Sequence, residues 1–184
     1  MITAQEALRR LVEGNARFVA EHELDHDLSK DRLIELHEEG QSPFATVISC
    51  SDSRVVPEHI FHVGLGELFV IRTAGNVIGN VELESALYAC DHLDTNLLLV
   101  LGHTHCGAVA AALDRDHKEL SHLVDPIRRA IGEVEDPIEA TWLNMEAGKA
   151  ALLDDDRVQE LCASHDLEVH GAVYDIETGI VRFE

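Results

Sequence analysis

Lysine is almost missing from this chain. It occurs at Lys30, Lys118 and Lys149 only, and all basic residues together number 14 against 35 acidic ones, a formal charge of -21. A surface that acidic repels nucleic acid and anionic lipid, so neither is expected as a partner. Two readings of the charge remain: a merely acidic protein, or one adapted to concentrated salt. The shortage of lysine favours the second. No apolar run reaches the roughly 18 residues that a membrane-spanning helix needs, so no membrane anchor is expected. The N-terminal Met1-Ile2-Thr3-Ala4-Gln5-Glu6 lacks the basic-then-apolar order of a signal peptide. A cytoplasmic location is therefore expected, where cysteines are thiols or ligands rather than disulfides. No glycine-rich phosphate loop or nucleotide fingerprint is present. At 184 residues the chain suits one domain, 1–184, with a helical arm over about 1–40.

What the chain does have is a regular alternation of elements. Thr3 and Glu6 form a capping box, and a helical apolar pattern then runs to about Ala20. Residues 21–40 are charged and read as a loop and a short helix ending near Gly40. Phe44 to Ser49 is a β-branched apolar run that reads as a strand, ending at Cys50. A short helix over Pro57–His62, a strand over Leu68–Arg72 and a helix over Asn80–Leu93 follow. A third strand, Asn96–Leu101, ends at Gly102 and His103, and Gly107 opens the next helix. Residues 118–132 and 137–163 are helical by pattern, broken by Pro126 and Pro137. Glu168–Tyr174 reads as a strand that turns through Glu177-Thr178-Gly179 into a short last strand, Ile180–Phe183. This order implies an α/β fold: a mostly parallel central β-sheet flanked by helices, with a C-terminal hairpin strand.

In such sheets ligands gather outside the carboxyl ends of the strands. Cys50 follows the first strand and His103 the third, so both belong at that edge. Cys106 stands at the start of the next helix, where the dipole favours a thiolate. Two cysteines and a histidine make a ligand set that suits zinc. Alone, Cys50 would read as a small buried hydrophobe, as Cys90 and Cys162 do. The three together at strand ends reverse that reading. A structural zinc site usually has a fourth Cys or His. Here the nearest extra candidate is Asp52, beside a possible ion-pair partner, Arg54. A carboxylate that can leave opens a position for water, which points to catalysis. His105 reads as a solvent-facing or supporting residue, and the remaining histidines as surface groups.

Cys50-Ser51-Asp52-Ser53-Arg54, with Gly102-His103-Thr104-His105-Cys106-Gly107-Ala108, closely resembles the β-class carbonic anhydrases. The resemblance extends to Glu13–Phe18, to Gly66–Asn76, and to Tyr174-Asp175 followed by Thr178-Gly179. It implies one zinc ion per chain, held by Cys50, His103 and Cys106, with the fourth position shared between water and Asp52. It also implies that Arg54 draws Asp52 off the metal to open the site. By position, Gln41, Phe69, Tyr88 and Gly107 correspond to the family's substrate-pocket residues. Gln41 and the two aromatic residues are implied to come from a partner subunit, hence a homodimer, often paired into tetramers. Some bacterial members carry a tryptophan three residues before the first cysteine, as part of a regulatory bicarbonate site. Here that residue is Val47, so that regulation does not carry over.

The chemistry also follows from the residues. CO2 is a weak electrophile and needs a strong nucleophile near neutral pH, which zinc supplies by lowering the pKa of its water toward about 7. Asp52, paired with Arg54, would orient that nucleophile, and Phe69 and Tyr88 suit an uncharged substrate. Reversible hydration of CO2 to bicarbonate is therefore expected. The alternatives are a hydrolase of carbonyl sulfide or carbon disulfide on the same site, and a zinc-stabilised scaffold. A scaffold would have no use for an exchangeable ligand.

Overall fold

The computed structural model describes residues 2–20, 26–115 and 119–184. Eight α-helices are described: α1 (Ala4–Ala20), α2 (Lys30–Glu39), α3 (Pro57–Ile60), α4 (Asn80–Leu93), α5 (Gly107–Leu113), α6 (Ser121–Ile131), α7 (Pro137–Leu153) and α8 (Asp156–Ser164). They surround strands β1 (Ala45–Cys50), β2 (Leu68–Thr73), β3 (Leu97–His103), β4 (Glu168–Tyr174) and β5 (Val181–Phe183). The sheet runs β2-β1-β3-β4-β5. Its first four strands are parallel, and β5 is antiparallel to β4. The expected mixed sheet and C-terminal hairpin strand are both present.

Sequence explains the layering. Strands β1 and β3 are buried at every residue, as near-continuous apolar runs are when helices cover both faces of a parallel sheet. Alternate side chains then feed two cores. Val47, Leu97, Leu99 and Leu101 pack with Leu11 of α1 and Phe61 beyond α3. Ile48, Leu98 and Val100 pack on the other face with Met145 and Leu152 of α7. Helix α1 seats closely because of Gly14: a Cβ there would lie 1.8 Å from the Phe61 carbonyl oxygen. Helix α2, by contrast, buries none of its residues.

Three expectations need correction. Thr3 does cap α1, accepting from Glu6 N at 3.1 Å, but the Glu6 carboxylate is taken by Arg9 and Arg10. Pro126 does not break its helix. It lies inside α6, early enough that its missing N–H costs one bond near the N-terminus. The pattern over 137–163 is two helices, because Asp155 accepts from Arg157 N and Val158 N and caps a new start. The expected boundary at 118 lies outside the described residues, as do residues 21–25, while the short helix expected to end near Gly40 is α2.

Candidate active site

Chain order gives the site its place. From β1 the chain crosses to β2 on one side, and β3 lies on the other side of β1. The β1/β3 boundary is thus the switch point, where an open α/β sheet leaves a crevice at its strand ends. Ser49 pairs with Leu101, so Cys50 and His103 leave adjacent strands at nearly the same level. Cys106 follows as the N-cap of α5. The ligand atoms of Cys50, His103 and Cys106 lie within 4.8 Å of one another, all on buried residues.

The donor set fits zinc. His103 is fully buried, and its Nδ1 donates to the Thr104 carbonyl at 2.9 Å. That bond fixes the tautomer and turns the Nε2 lone pair toward the thiols. Nε2 is buried and has no hydrogen-bond partner among the described residues. Such an orphaned lone pair is costly unless something accepts it, and a cation beside two thiols does so. The thiols share a proton. The hydrogen bond from Cys106 pulls the Cys50 thiol down to about 4, helped by His103 and the Asp52 and Gly75 amides. The same bond, with burial, pushes Cys106 up; the Ala108 and Val109 amides at the start of α5 oppose this and lose. The start of α5 thus favours the Cys106 thiolate, as expected, against burial and the neighbouring Cys50 sulfur. A dication must displace the Cys106 proton.

Asp52 and Arg54 are paired in fork geometry. Arg54 Nε donates to Oδ1 at 2.9 Å and Nη2 to Oδ2 at 2.7 Å, with Arg54 N also on Oδ1 at 2.9 Å. That pairing holds the Asp52 carboxyl well below the usual carboxylate range. Arg54 Nη2 also reaches the His105 carbonyl at 3.2 Å, tying the β1 and β3 loops together. His105 itself is exposed in a left-handed conformation.

Sequence reasoning missed three supports. Arg72 on β2 donates to the Cys50 carbonyl at 3.2 Å and the Asp52 carbonyl at 2.8 Å, clamping the loop from behind. Gly75 N donates to Cys50 Sγ at 3.2 Å. Asn144 Nδ2 donates to Gly75 O at 2.8 Å. Arg72 and Gly75 fall in a stretch whose resemblance was legible. Asn144 is on α7 with no motif around it. The other histidines are not all surface groups: His62 is 4% exposed, with its ring 5.2 Å from that of His26. Cys90 and Cys162 are partly buried against the α7 side of the core, where burial raises both thiols.

The substrate-pocket residues divide. Gly107 is exposed at the start of α5, next to Cys106. Phe69 and Tyr88 pack against each other, ring centroids 6.2 Å apart, but elsewhere. Phe69 pairs with Thr46 and Thr73 with Cys50, so Phe69 lies four residues, about 13 Å, back along the sheet from the cluster. Gln41 is exposed before β1. Within one chain these three do not join the metal cluster.

The chain is similar to known proteins in both sequence and fold. A carbonic anhydrase family model matches residues 45–181. A carbonic anhydrase of Mycolicibacterium smegmatis is 40% identical over 159 residues, covering 86% of this chain and 72% of that protein. One of Synechococcus elongatus is 31% identical over 209 aligned residues, 95% of this chain and 70% of that protein. Among solved structures, a β-carbonic anhydrase of Aspergillus fumigatus superposes with a TM-score of 0.73 at 29% identity, covering 98% of this chain and 89% of its own. One of two tetrameric β-carbonic anhydrases of Sordaria macrospora gives 0.70 at 27% identity, covering 83% and 90%. These likenesses favour CO2 hydration over carbonyl sulfide or carbon disulfide hydrolysis and over a scaffold. A buried Cys-His-Cys cluster at the switch point, in a chain so matched, places the protein among the β-class carbonic anhydrases, zinc enzymes that interconvert CO2 and bicarbonate.

Proposed function

We propose that Cys50, His103 and Cys106 hold the zinc and that Asp52 with Arg54 decides whether its fourth position is open. The observation that carries this reading is the Asp52–Arg54 fork, in which both carboxylate oxygens are engaged by the guanidinium. While Arg54 holds it, Asp52 is drawn away from the cluster, and the remaining position is left to water. When bound, zinc acidifies water toward neutral pH and so supplies the nucleophile that CO2 requires. Because Arg54 keeps Asp52 ionised, the carboxylate accepts a hydrogen bond and orients that nucleophile. So weak a base does not store the proton, which must pass to buffer. Released from Arg54, Asp52 would be free to join Cys50, His103 and Cys106 in holding the zinc, which would close the site to water.

The substrate pocket is completed across a homodimer, with Gly107 from one chain and Gln41, Phe69 and Tyr88 from the other. Separation within the chain supports this, as does the half exposure of Tyr88, at 50%. Phe69 also lies on β2, an edge strand of the sheet. A pairing of dimers is in keeping with the tetrameric Sordaria relatives. Residues 1–184 act as one unit in which about 1–40 is an arm; α2, with Leu33 and Ile34 exposed at 58% and 48%, suits contact with another chain. No described helix is long and apolar enough to cross a membrane, and four unpaired cysteines suit a reducing cytoplasm. The acidic, lysine-poor surface suits concentrated salt. The test is zinc content measured beside CO2 hydration across pH. One zinc per chain, with a rate that climbs above about pH 7, is expected. Activity independent of zinc, or a flat pH profile, would overturn the reading.

A further inference from the structure

Gly75 stands between two regions that no sequence motif connects. Its φ of 63° is left-handed, and a Cβ there would lie 2.8 Å from Ala108 Cβ and 3.0 Å from Ile127 Cδ1. The next residue, Asn76, is also left-handed, at φ 47°. This unusual turn sends the two peptide groups of Gly75 in useful directions. Its N–H reaches Cys50 Sγ at 3.2 Å, and its carbonyl receives Asn144 Nδ2 at 2.8 Å. Asn144 is 6% exposed on α7, a helix packed along the sheet through Met145 and Leu152. That packing seats the Asn144 side chain against the turn.

We propose that Asn144 is a positioning residue for the metal centre: by holding the Gly75 carbonyl it aims the Gly75 N–H at the Cys50 sulfur. The consequence is electronic as well as geometric. An N–H bond to a thiolate is charge-assisted and withdraws electron density from sulfur. Two thiolates nearly cancel the charge of a zinc dication, so the density that each one donates decides how acidic the metal remains. Partners behind the ligands typically govern affinity or activity by about 10- to 100-fold. Without Asn144 the turn has one anchor fewer, the N–H drifts from Cys50, and the sulfur donates more strongly from a less fixed position.

The inference rests on Cys50 being a ligand, and the experiment separates the two. The parent enzyme is loaded with Co(II), and the near-ultraviolet sulfur-to-cobalt charge-transfer band is recorded. Its absence would remove thiolate ligation and this inference with it. Given the band, Asn144→Asp keeps the side-chain shape but replaces the donor with an acceptor, and Asn144→Ala removes both. Each should move the band to lower energy and speed zinc loss to a chelator by about tenfold or more. Met145→Leu perturbs the adjacent buried position without touching Gly75 and should leave the band in place. A band and zinc-loss rate unchanged in Asn144→Asp would overturn the proposal. So would an equal shift in Met145→Leu, which would make the effect one of general packing.

Discussion

The metal end of the sheet and the Phe69–Tyr88 patch differ in one respect: only the first brings its proposed residues together within one chain. At the metal end, Cys50, His103 and Cys106 converge, His103 has its tautomer fixed, and Asp52 has its partner. At the patch, the two rings pack on each other, Tyr88 is half exposed, and Phe69 lies about 13 Å back along the sheet from its own chain's cluster. Residues that end adjacent parallel strands meet wherever strand order puts them side by side. Residues that line half a pocket need a second copy. The first arrangement is set by topology, the second by assembly, and they should fail differently.

The largest effect should come from breaking the metal end. Cys106→Ser replaces a thiolate with a poor zinc ligand and leaves the Cys50–His103 pair to hold the ion. Zinc content should drop to a small fraction, and CO2 hydration should fall by more than about 100-fold, beyond the loss from a supporting residue. Metal analysis with stopped-flow hydration checks both. Full zinc and full activity in this variant would remove Cys106 from the site.

Arg54→Ala should separate binding from catalysis. The Asp52 carboxylate then loses both fork bonds beside a cation, and the metal becomes its best partner. Zinc should stay, while the rate falls by about 100-fold or more. The pH profile carries a signed expectation. Arg54 depresses the Asp52 pKa, so the pair's contribution to folding is present above the ordinary carboxylate pKa of about 3.9 and fades as pH falls through the lower, folded-state value. In the parent, the activity rise near neutral pH is therefore not the titration of Asp52. An Arg54→Ala variant as active as the parent would end the gate.

The contrast between the two regions also explains what was legible in the sequence. The strand runs ending at Cys50 and at His103 are short, apolar and sharply terminated, so the metal edge could be read from pattern alone. Arg72, Gly75 and Asn144 were not assigned their supporting roles. They act through backbone atoms, and a hydrogen bond to a carbonyl leaves no side-chain signature. The division between α7 and α8 was missed because the charged run Asp154-Asp155-Asp156-Arg157 also suits the exposed face of one helix; the capping geometry of Asp155 reveals the new start. His62 was grouped with the surface histidines although Phe61 and Val63 flank it; Phe18 and His26, from earlier in the chain, meet the rings of His59 and His62 there. Gln41, Phe69 and Tyr88 rest on resemblance alone, and within one chain they lie apart from the metal cluster.

A complementation experiment sharpens the comparison. Tyr88→Ala should keep its zinc and lose a pocket wall, costing about 1–3 kcal/mol in transition-state binding, or roughly 10- to 200-fold. If Tyr88 serves the partner's metal, a mixed dimer of Tyr88→Ala and Cys106→Ser chains has one sound site. That site takes its zinc from the first chain and its Tyr88 from the second. Random remixing of equal amounts should then recover about a quarter of the parent activity, more than either variant alone. Activity no greater than the average of the two variants would return Tyr88 to its own chain's site or remove it from catalysis.

Salt should have the smallest effect, and it acts on assembly rather than on the cluster. Each chain carries -21 and a dimer twice that, so self-repulsion opposes folding and association alike. Raising KCl from 0.1 M to 1 M shortens the screening length from about 10 Å to about 3 Å. Melting temperature, dimer fraction and hydration rate should rise together, with about 2–4 °C in melting temperature for each kcal/mol relieved. The gain should not come mainly from the Asp154-Asp155-Asp156 run. Asp155 already caps α8, and Asp156 sits in its first turn, where negative charge is favoured. Screening is nearly exhausted by 1 M, so any further rise must come from burial of apolar surface, which sulfate strengthens more than chloride. Melts and sedimentation in KCl and in potassium sulfate at matched ionic strength separate the two causes. A rise that levels off below 1 M and is equal in both salts assigns the effect to charge. A stable, fully active dimer at 0.1 M KCl, with no gain in either salt, would leave the acidic surface without a part in assembly and confine what matters to the metal end.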